Sequence, residues 1–285
     1  MINHNINKNN IKNNYNNKNN INNYKLELRD ISKTFNPGTV HEKRAIINLS
    51  VKLLPGDFVT IIGSNGAGKS TLFNLICGDF YPDTGEILLN GEDMTYQPAH
   101  IRARHIGRLY QDPMRGSAPG MSIEENLFLA SGRGGPFSRI SKADREYFRD
   151  RLSLLDMGLE NQTRQPVGLL SGGQRQALTL FMATMNPPDL LLLDEHTAAL
   201  DPATAEKVLN LTSQIISKYQ ITTLMVTHNM RNALDFGNRT FMMNHGAIVL
   251  DISGPERRDL QVSDLLERFR VGAGKDLDND RILLS

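Results

Sequence analysis

Apolar and polar positions change rhythm several times along the chain, and each change predicts a different element. Residues 46–54 alternate apolar and polar side chains, and Leu26, Leu28 and Phe35 punctuate a similar stretch. A period of two is that of strands with one wet face. Residues 58–62 instead form a short apolar run ending in glycine, the pattern of a strand buried on both faces. The leucine run 190–193 and residues 222–226 carry the same signal. Helical patterns lie between and after these runs, among them 69–77, closed by Gly78, and a stretch from Ser171 through Met185. Strands alternating with helices predict an α/β fold with a largely parallel sheet.

Between about residues 113 and 166 the texture becomes helical. Ser122 with Glu125 three residues later is a capping-box signal, and 141–155 is charged and amphipathic. This region reads as a helical insertion into the α/β core. Towards the C-terminus, apolar residues 241–243 and 248–250 flank Asn244-His245-Gly246, a hairpin pattern, and 263–270 predicts a further helix. The first 24 residues are another material: more than half are Asn, with neither the apolar core nor the cleavage site of a signal peptide. Such a tract buries too little surface to offset its ordering entropy and is expected to be a disordered tail. No internal repeat is visible. The expected organisation is a tail over 1–24, one domain over 25–250 and an extension over 251–285.

Composition changes this picture little. The chain has 285 residues, of which 39% are hydrophobic and 22% charged, enough for a sizeable core. A net charge of +1 argues against a strongly electrostatic partner such as bulk nucleic acid. Cys77 is the single cysteine, which excludes an internal disulfide and fits a reducing compartment. No apolar run approaches the roughly 18 residues needed to span a bilayer, so any work at a membrane needs another chain to cross it.

The chemistry enters at residues 63–70. Gly63-Ser64-Asn65-Gly66-Ala67-Gly68-Lys69-Ser70 fits G-x-x-x-x-G-K-[ST], followed by Thr71. Glycines let successive backbone N–H groups curl around a polyphosphate, and the following helix points its positive end at the same anion. Lys69 then supplies a mobile charge to the β- and γ-phosphates, and the Ser70 hydroxyl is expected to ligate magnesium. The loop follows a buried strand and opens a helix, which is the context this chemistry requires. The leucine run 190–193 places Asp194 at the carboxyl edge of the sheet, where α/β folds bind ligands. Asp194 is expected to hold magnesium, directly or through water, and Glu195 to polarise the attacking water as general base.

Residues 170–176, Leu-Ser-Gly-Gly-Gln-Arg-Gln, are a second anion cradle. Ser171 is an N-cap, Gly172 and Gly173 expose backbone N–H groups, and Gln174 follows in the first turn of an amphipathic helix. The stretch resembles the signature of the ABC ATPase family, and the resemblance covers most of 25–250. It implies a phosphate-loop ATPase core with a mainly parallel sheet, an antiparallel β subdomain and an inserted helical subdomain. Gln111 resembles the family's glutamine that senses magnesium and the γ-phosphate. Ala199-Leu200-Asp201 resembles the loop in which Asp201 crosses to a partner subunit. His228 resembles the γ-phosphate histidine, and Phe35 the aromatic that stacks on adenine.

The resemblance further implies ATP and Mg²⁺ as ligands and a homodimer that sandwiches two ATP molecules. It implies attachment to a membrane-spanning permease on the inner face of the cell membrane, with or without a solute-binding protein. Many family members carry Pro after the Asp-Glu pair, where this chain has His196. The run Asp194-Glu195-His196-Thr197-Ala198-Ala199-Leu200-Asp201-Pro202 is similar to a bacterial subgroup of importer ATPases for which aromatic amino acids have been suggested as cargo. For His196 itself, neutral variation beside the base is the alternative. A non-transport ATPase acting on nucleic acid or ribosomes is the other functional reading. Against it stand the absence of a long heptad insertion, zinc modules, a second cassette and a basic excess.

Overall fold

The computed structural model describes residues 24–132 and 138–273. The Asn-rich stretch expected to be a tail lies, but for Tyr24, outside the described residues. Two sheets organise the rest. The first contains β1 (Leu26–Phe35), β2 (Lys43–Leu53), β4 (Thr84–Leu89) and β5 (Glu92–Asp93), all antiparallel, in the order β2-β1-β4-β5. The alternation along 46–53 does place one face inward: Ile46, Leu49, Val51 and Leu53 are buried, while Ile47, Ser50 and Lys52 are exposed.

The second sheet holds β3 (Phe58–Gly63), β6 (Ile106–Leu109), β7 (Leu190–Asp194), β8 (Thr222–Val226), β9 (Arg239–Asn244) and β10 (Ala247–Ser253). Their order is β10-β9-β3-β8-β7-β6, parallel except for β10, which returns antiparallel along β9 as the hairpin pattern predicts. Every residue of β3 and β8 is buried, which explains their continuous apolar texture. Burying side chains such as Ile61 or Leu192 stabilises the sheet by about 2 kcal/mol each.

Helix α1 (Lys69–Cys77) packs Leu72, Phe73, Leu75 and Ile76 between the two sheets, so one core serves both. Gly78 ends it in the left-handed conformation, donating to Asn74 O and Leu75 O. The short helix α2 (Ala99–Arg102) delivers a wholly buried Arg102 to the same helix end. Its guanidinium donates to Leu75 O at 2.7 Å, Ile76 O at 2.9 Å, Thr95 O at 2.8 Å and Gln97 O at 2.8 Å. Carbonyls at the negative end of the helix are thus met by a permanent charge.

The insertion is helical, as its capping signals imply. Helix α3 (Ile123–Ala130) starts at the Ser122/Glu125 capping box and α4 (Lys142–Ser153) at one formed by Ser141 and Asp144. The two ends of the insertion are laced together: Ser122 bridges Pro166, Ile123 N donates to Gln165 O and Val167 N to Met121 O. Helix α5 (Gly172–Thr184) belongs to both halves. Ala177 and Leu178 pack into the insertion's own core, and Leu180 packs against α6 (Pro202–Tyr219) and the sheet. Helix α7 (Met230–Asp235) leads into β9, and after β10 come α8 (Gly254–Arg258) and α9 (Val262–Ala273). Leu260 and Leu265 pack with Ile62, Met230 and Met242, so residues beyond 250 contribute to the core.

Candidate functional site

Strand β8 lies between β3 and β7, with Val226 paired to Ile61 on one side and Asp194 on the other. The loop after β3 and the acids at the end of β7 therefore emerge together at the carboxyl edge of the sheet. In that loop Gly68 is the N-cap of α1 with φ +105° and no side-chain cap. A Cβ there would fall 2.6 Å from Ala45 O. The first turn of the helix closes with Leu72 N donating to Gly68 O, so the N–H groups ahead of it point out of the helix start. A concave loop whose backbone N–H groups open a helix N-terminus fits a polyphosphate. Lys69 is buried and its ammonium folds back over the loop, donating to Gly63 O at 2.7 Å and Ser64 O at 3.0 Å. Ser70 is exposed at the same mouth, and Thr71 is half-buried behind it.

Glu195 follows β7 with φ +45°, a conformation that costs a side-chain-bearing residue about 1 kcal/mol and that local bonds impose here. Its N–H donates to Val226 O at 3.1 Å and its carbonyl accepts from Ala198 N at 3.0 Å. The side chain is held at both oxygens. His228 Nε2 lies 2.6 Å from Oε1, and Gln111 Nε2 donates to Oε2 at 3.3 Å. The hydrogen bond from His228 is the main reason the Glu195 carboxyl titrates below its ordinary range, and the charges of His228 and Lys69 add to it against desolvation. The group is thus kept ionised, as a base requires. Asp194 behaves oppositely. Burial raises its pKa, and the charges of Arg108 and Lys69 offset this only in part.

Arg108 escaped the reading of the sequence. On β6 its side chain is almost fully buried, bonded to Asp79 at 2.9 Å and Asn74 of α1 at 2.7 Å, and it approaches Asp194 at 3.5 Å. It also stacks on Tyr110 at 4.6 Å, with Arg115 over the same ring at 4.9 Å. These contacts tie Asp194, α1 and the segment carrying Gln111 into one unit. An arginine in a short polar-apolar strand carries no local mark of such a role.

Phe35 ends β1, half-buried, edge-on to Phe80 with ring centroids 5.3 Å apart, and pairs across the sheet with Lys43. The remaining expected residues form a second group. Ser171 caps α5, its Oγ accepting from Gln174 N at 3.2 Å while Gln174 Oε1 accepts from Ser171 N at 3.1 Å. Asp201 caps α6, accepting from Thr204 N at 3.1 Å. The two helix starts touch: a Cβ on Gly173 would fall 2.1 Å from Thr204 Cγ2, and one on Gly172 would fall 3.2 Å from Leu200 Cδ2.

His196, next to Glu195, is buried, its Nε2 3.3 Å from Thr212 Oγ1. The Thr212 hydroxyl donates to Val208 O at 2.7 Å, so at Nε2 it accepts, and the ring is neutral with its proton on Nε2. Burial lowers its pKa to about 4. This places His196 in the packing rather than in the chemistry.

Among the described residues no cluster of three or more His, Cys, Asp or Glu side chains is arranged to hold a metal. Ser70, Gln111 and Asp194 offer a hydroxyl, an amide oxygen and one carboxylate, oxygen donors that suit magnesium, which takes one or two carboxylates and keeps phosphate and water at other positions. Gln111 uses its amide N–H on Glu195, leaving the amide oxygen for a cation.

Residues 46–198 match the sequence profile described as ABC transporter. A tyrosine transport ATP-binding protein of Clostridioides difficile (strain R20291) is 41% identical over 252 residues, 86% of this chain and 98% of that protein. A xylose/arabinose import ATP-binding protein of Sulfolobus acidocaldarius is 31% identical, covering 87% and 95%. Among solved structures, a dimeric ATP-binding cassette in a post-hydrolysis state with ADP and Pi superposes with TM-score 0.69 at 27% identity, over 80% of this chain and 98% of that one. The ADP conformation of another transporter cassette gives 0.71 at 26%, over 86% and 98%.

Proposed function

This chain belongs to the ABC transporter family of ATP-binding proteins and is an ATP hydrolase, and we propose that it powers solute import through a separate permease. The observation that carries the reading is the Glu195 carboxylate, ionised and held at both oxygens beside the phosphate loop. The backbone N–H groups of residues 69–71 and the Lys69 ammonium bind the β- and γ-phosphates. Phe35 stacks on the adenine. Glu195 accepts a proton from the attacking water, and His228 and Gln111 hold its lone pairs on the line of attack. When bound, magnesium held by Ser70, Gln111 and Asp194 supplies charge neutralisation at the phosphates.

Ser171, Gly172, Gly173, Gln174 and Asp201 complete the site of a second copy. Their exposed helix starts stand together on one ledge, and a related cassette has been solved as a dimer with ADP and Pi. ATP stabilises the closed pair through contacts to both halves, and loss of the γ-phosphate releases them. No helix among the described residues is long and apolar enough to cross a membrane; on the import reading the crossing belongs to the permease. Attachment to it places the chain on the inner face of the cell membrane. The tyrosine transport relative supports an amino acid as cargo.

The Glu195→Gln variant tests this. It is expected to lose turnover and to accumulate as an ATP-bound dimer on gel filtration with magnesium. A variant that hydrolyses ATP at the wild-type rate removes Glu195 from the chemistry, and one that stays monomeric with ATP removes the sandwich. Affinity purification from native membranes tests transport, with an integral permease expected and ribosomal or DNA-bound proteins contradicting it.

A further inference from the structure

We infer that Lys43 is a second phosphate-binding cation of this site, contributed by the antiparallel sheet rather than by the phosphate loop. The inference deepens the reading that residues 63–70 hold the phosphates of ATP, and rests on it. Three observations converge on Lys43. Gly66 adopts φ +84°, and the group within 4 Å of the place a Cβ would occupy is the Lys43 ammonium, at 3.9 Å. The side chain is exposed, and its neighbours Glu42 and Arg44 pair with each other at 3.5 Å. That leaves the ammonium without a carboxylate partner among the described residues. Finally, Lys43 of β2 is directly opposite Phe35 of β1.

Directly opposed residues in an antiparallel pair share a face of the sheet, with Cβ atoms about 5 Å apart. The aromatic platform and the second cation therefore stand side by side. With the base on Phe35 and the terminal phosphates on Lys69, the intervening phosphates cross the rim of the loop where Gly66 and Lys43 meet. Lys69 holds the polyphosphate from within the loop, and Lys43 flanks it from outside. The chemistry recognised is that of the ribose-proximal phosphates of a nucleoside di- or triphosphate. An exposed ammonium beside a phosphate in a water-rich setting strengthens binding by about fivefold at low salt, an effect that ionic screening removes.

The experiment compares Lys43→Met, Lys43→Arg and Lys69→Ala with wild type by titration with ATP, ADP and adenosine at low and high salt. Lys43→Met is expected to bind ATP and ADP about fivefold more weakly at low salt. It should bind adenosine as wild type does, and the gap should close at high salt. Lys43→Arg is expected to restore affinity to within about twofold, because it keeps the charge. Wild-type affinity of Lys43→Met for ATP at low salt, with Lys69→Ala impaired, overturns the inference and leaves the phosphate-loop reading standing. Equal weakening of adenosine overturns it as well, since that loss is structural. If neither Lys43→Met nor Lys69→Ala affects ATP, the phosphate-loop reading itself fails.

Discussion

The neutral, buried His196 makes this fold sensitive to acid by a calculable amount. Its imidazole titrates near 4 in the folded chain and near 6.5 when unfolded, because burial opposes the charged form. Between those values the unfolded chain takes up a proton that the folded chain refuses, so stability falls as the pH is lowered through 6.5 and goes on falling to about 4. Each pH unit in that window is worth about 1.4 kcal/mol, so going from pH 7 to pH 5 costs about 2 kcal/mol from this residue alone. Replacing it with Gln keeps a donor for Thr212 Oγ1 and removes the titration. Urea unfolding of both proteins at pH 7, 6 and 5 is the assay. For a urea slope of about 3 kcal/mol per molar, the wild-type midpoint should drop by about 0.7 M more than the variant's between pH 7 and 5. Carboxylates common to both proteins cancel in that difference. Parallel pH profiles would refute the argument, because they require an imidazole that can charge in place.

Two further substitutions probe how the site is framed. Arg102→Met strips four hydrogen bonds, three of them buried, from backbone carbonyls and should cost about 3 kcal/mol, read as a lower urea midpoint; a loss below about 1 kcal/mol would mean water replaces the guanidinium. Gly173→Ala drives a methyl group into Thr204 Cγ2 and should destabilise by about 2 kcal/mol, while adding Thr204→Ser should recover most of it. Additive effects in that double mutant would remove the contact between the two helix starts.

Much of the architecture is written locally. The apolar runs 58–62 and 222–226 are buried strands, helix 69–77 ends at Gly78, the Ser122/Glu125 box forms as read, and Ser171 is the expected N-cap. Each depends on neighbours within four residues, so periodicity and capping chemistry expose it. The order of the sheet is not local. β3 lies between β8 and β9, pairing residues about 160 to 180 positions apart, and nothing in the 58–62 run selects those neighbours. The same holds in the site. Residues 63–70 and 194–195 announce their chemistry, but the clasp of Glu195 between Gln111 and His228 joins three distant segments. Arg102 and Arg108 gave no signal for a physical reason: arginine is ordinarily a solvated residue, and only the completed fold shows that each side chain is buried among carbonyls or carboxylates.

Arg102 has a mechanical consequence. Helix α1 carries the phosphate loop at one end, and about 14 Å away its other end is bolted to Thr95, Gln97 and α2. A stiff rod fixed at its rear transmits axial load instead of absorbing it. A pull on Lys69 therefore reaches α2, and from α2 the chain runs through a short turn into β6 and on to Gln111. The helix that carries residues 63–70 at its start and the strand that leads to the clasp on Glu195 are thereby joined back to back through one guanidinium.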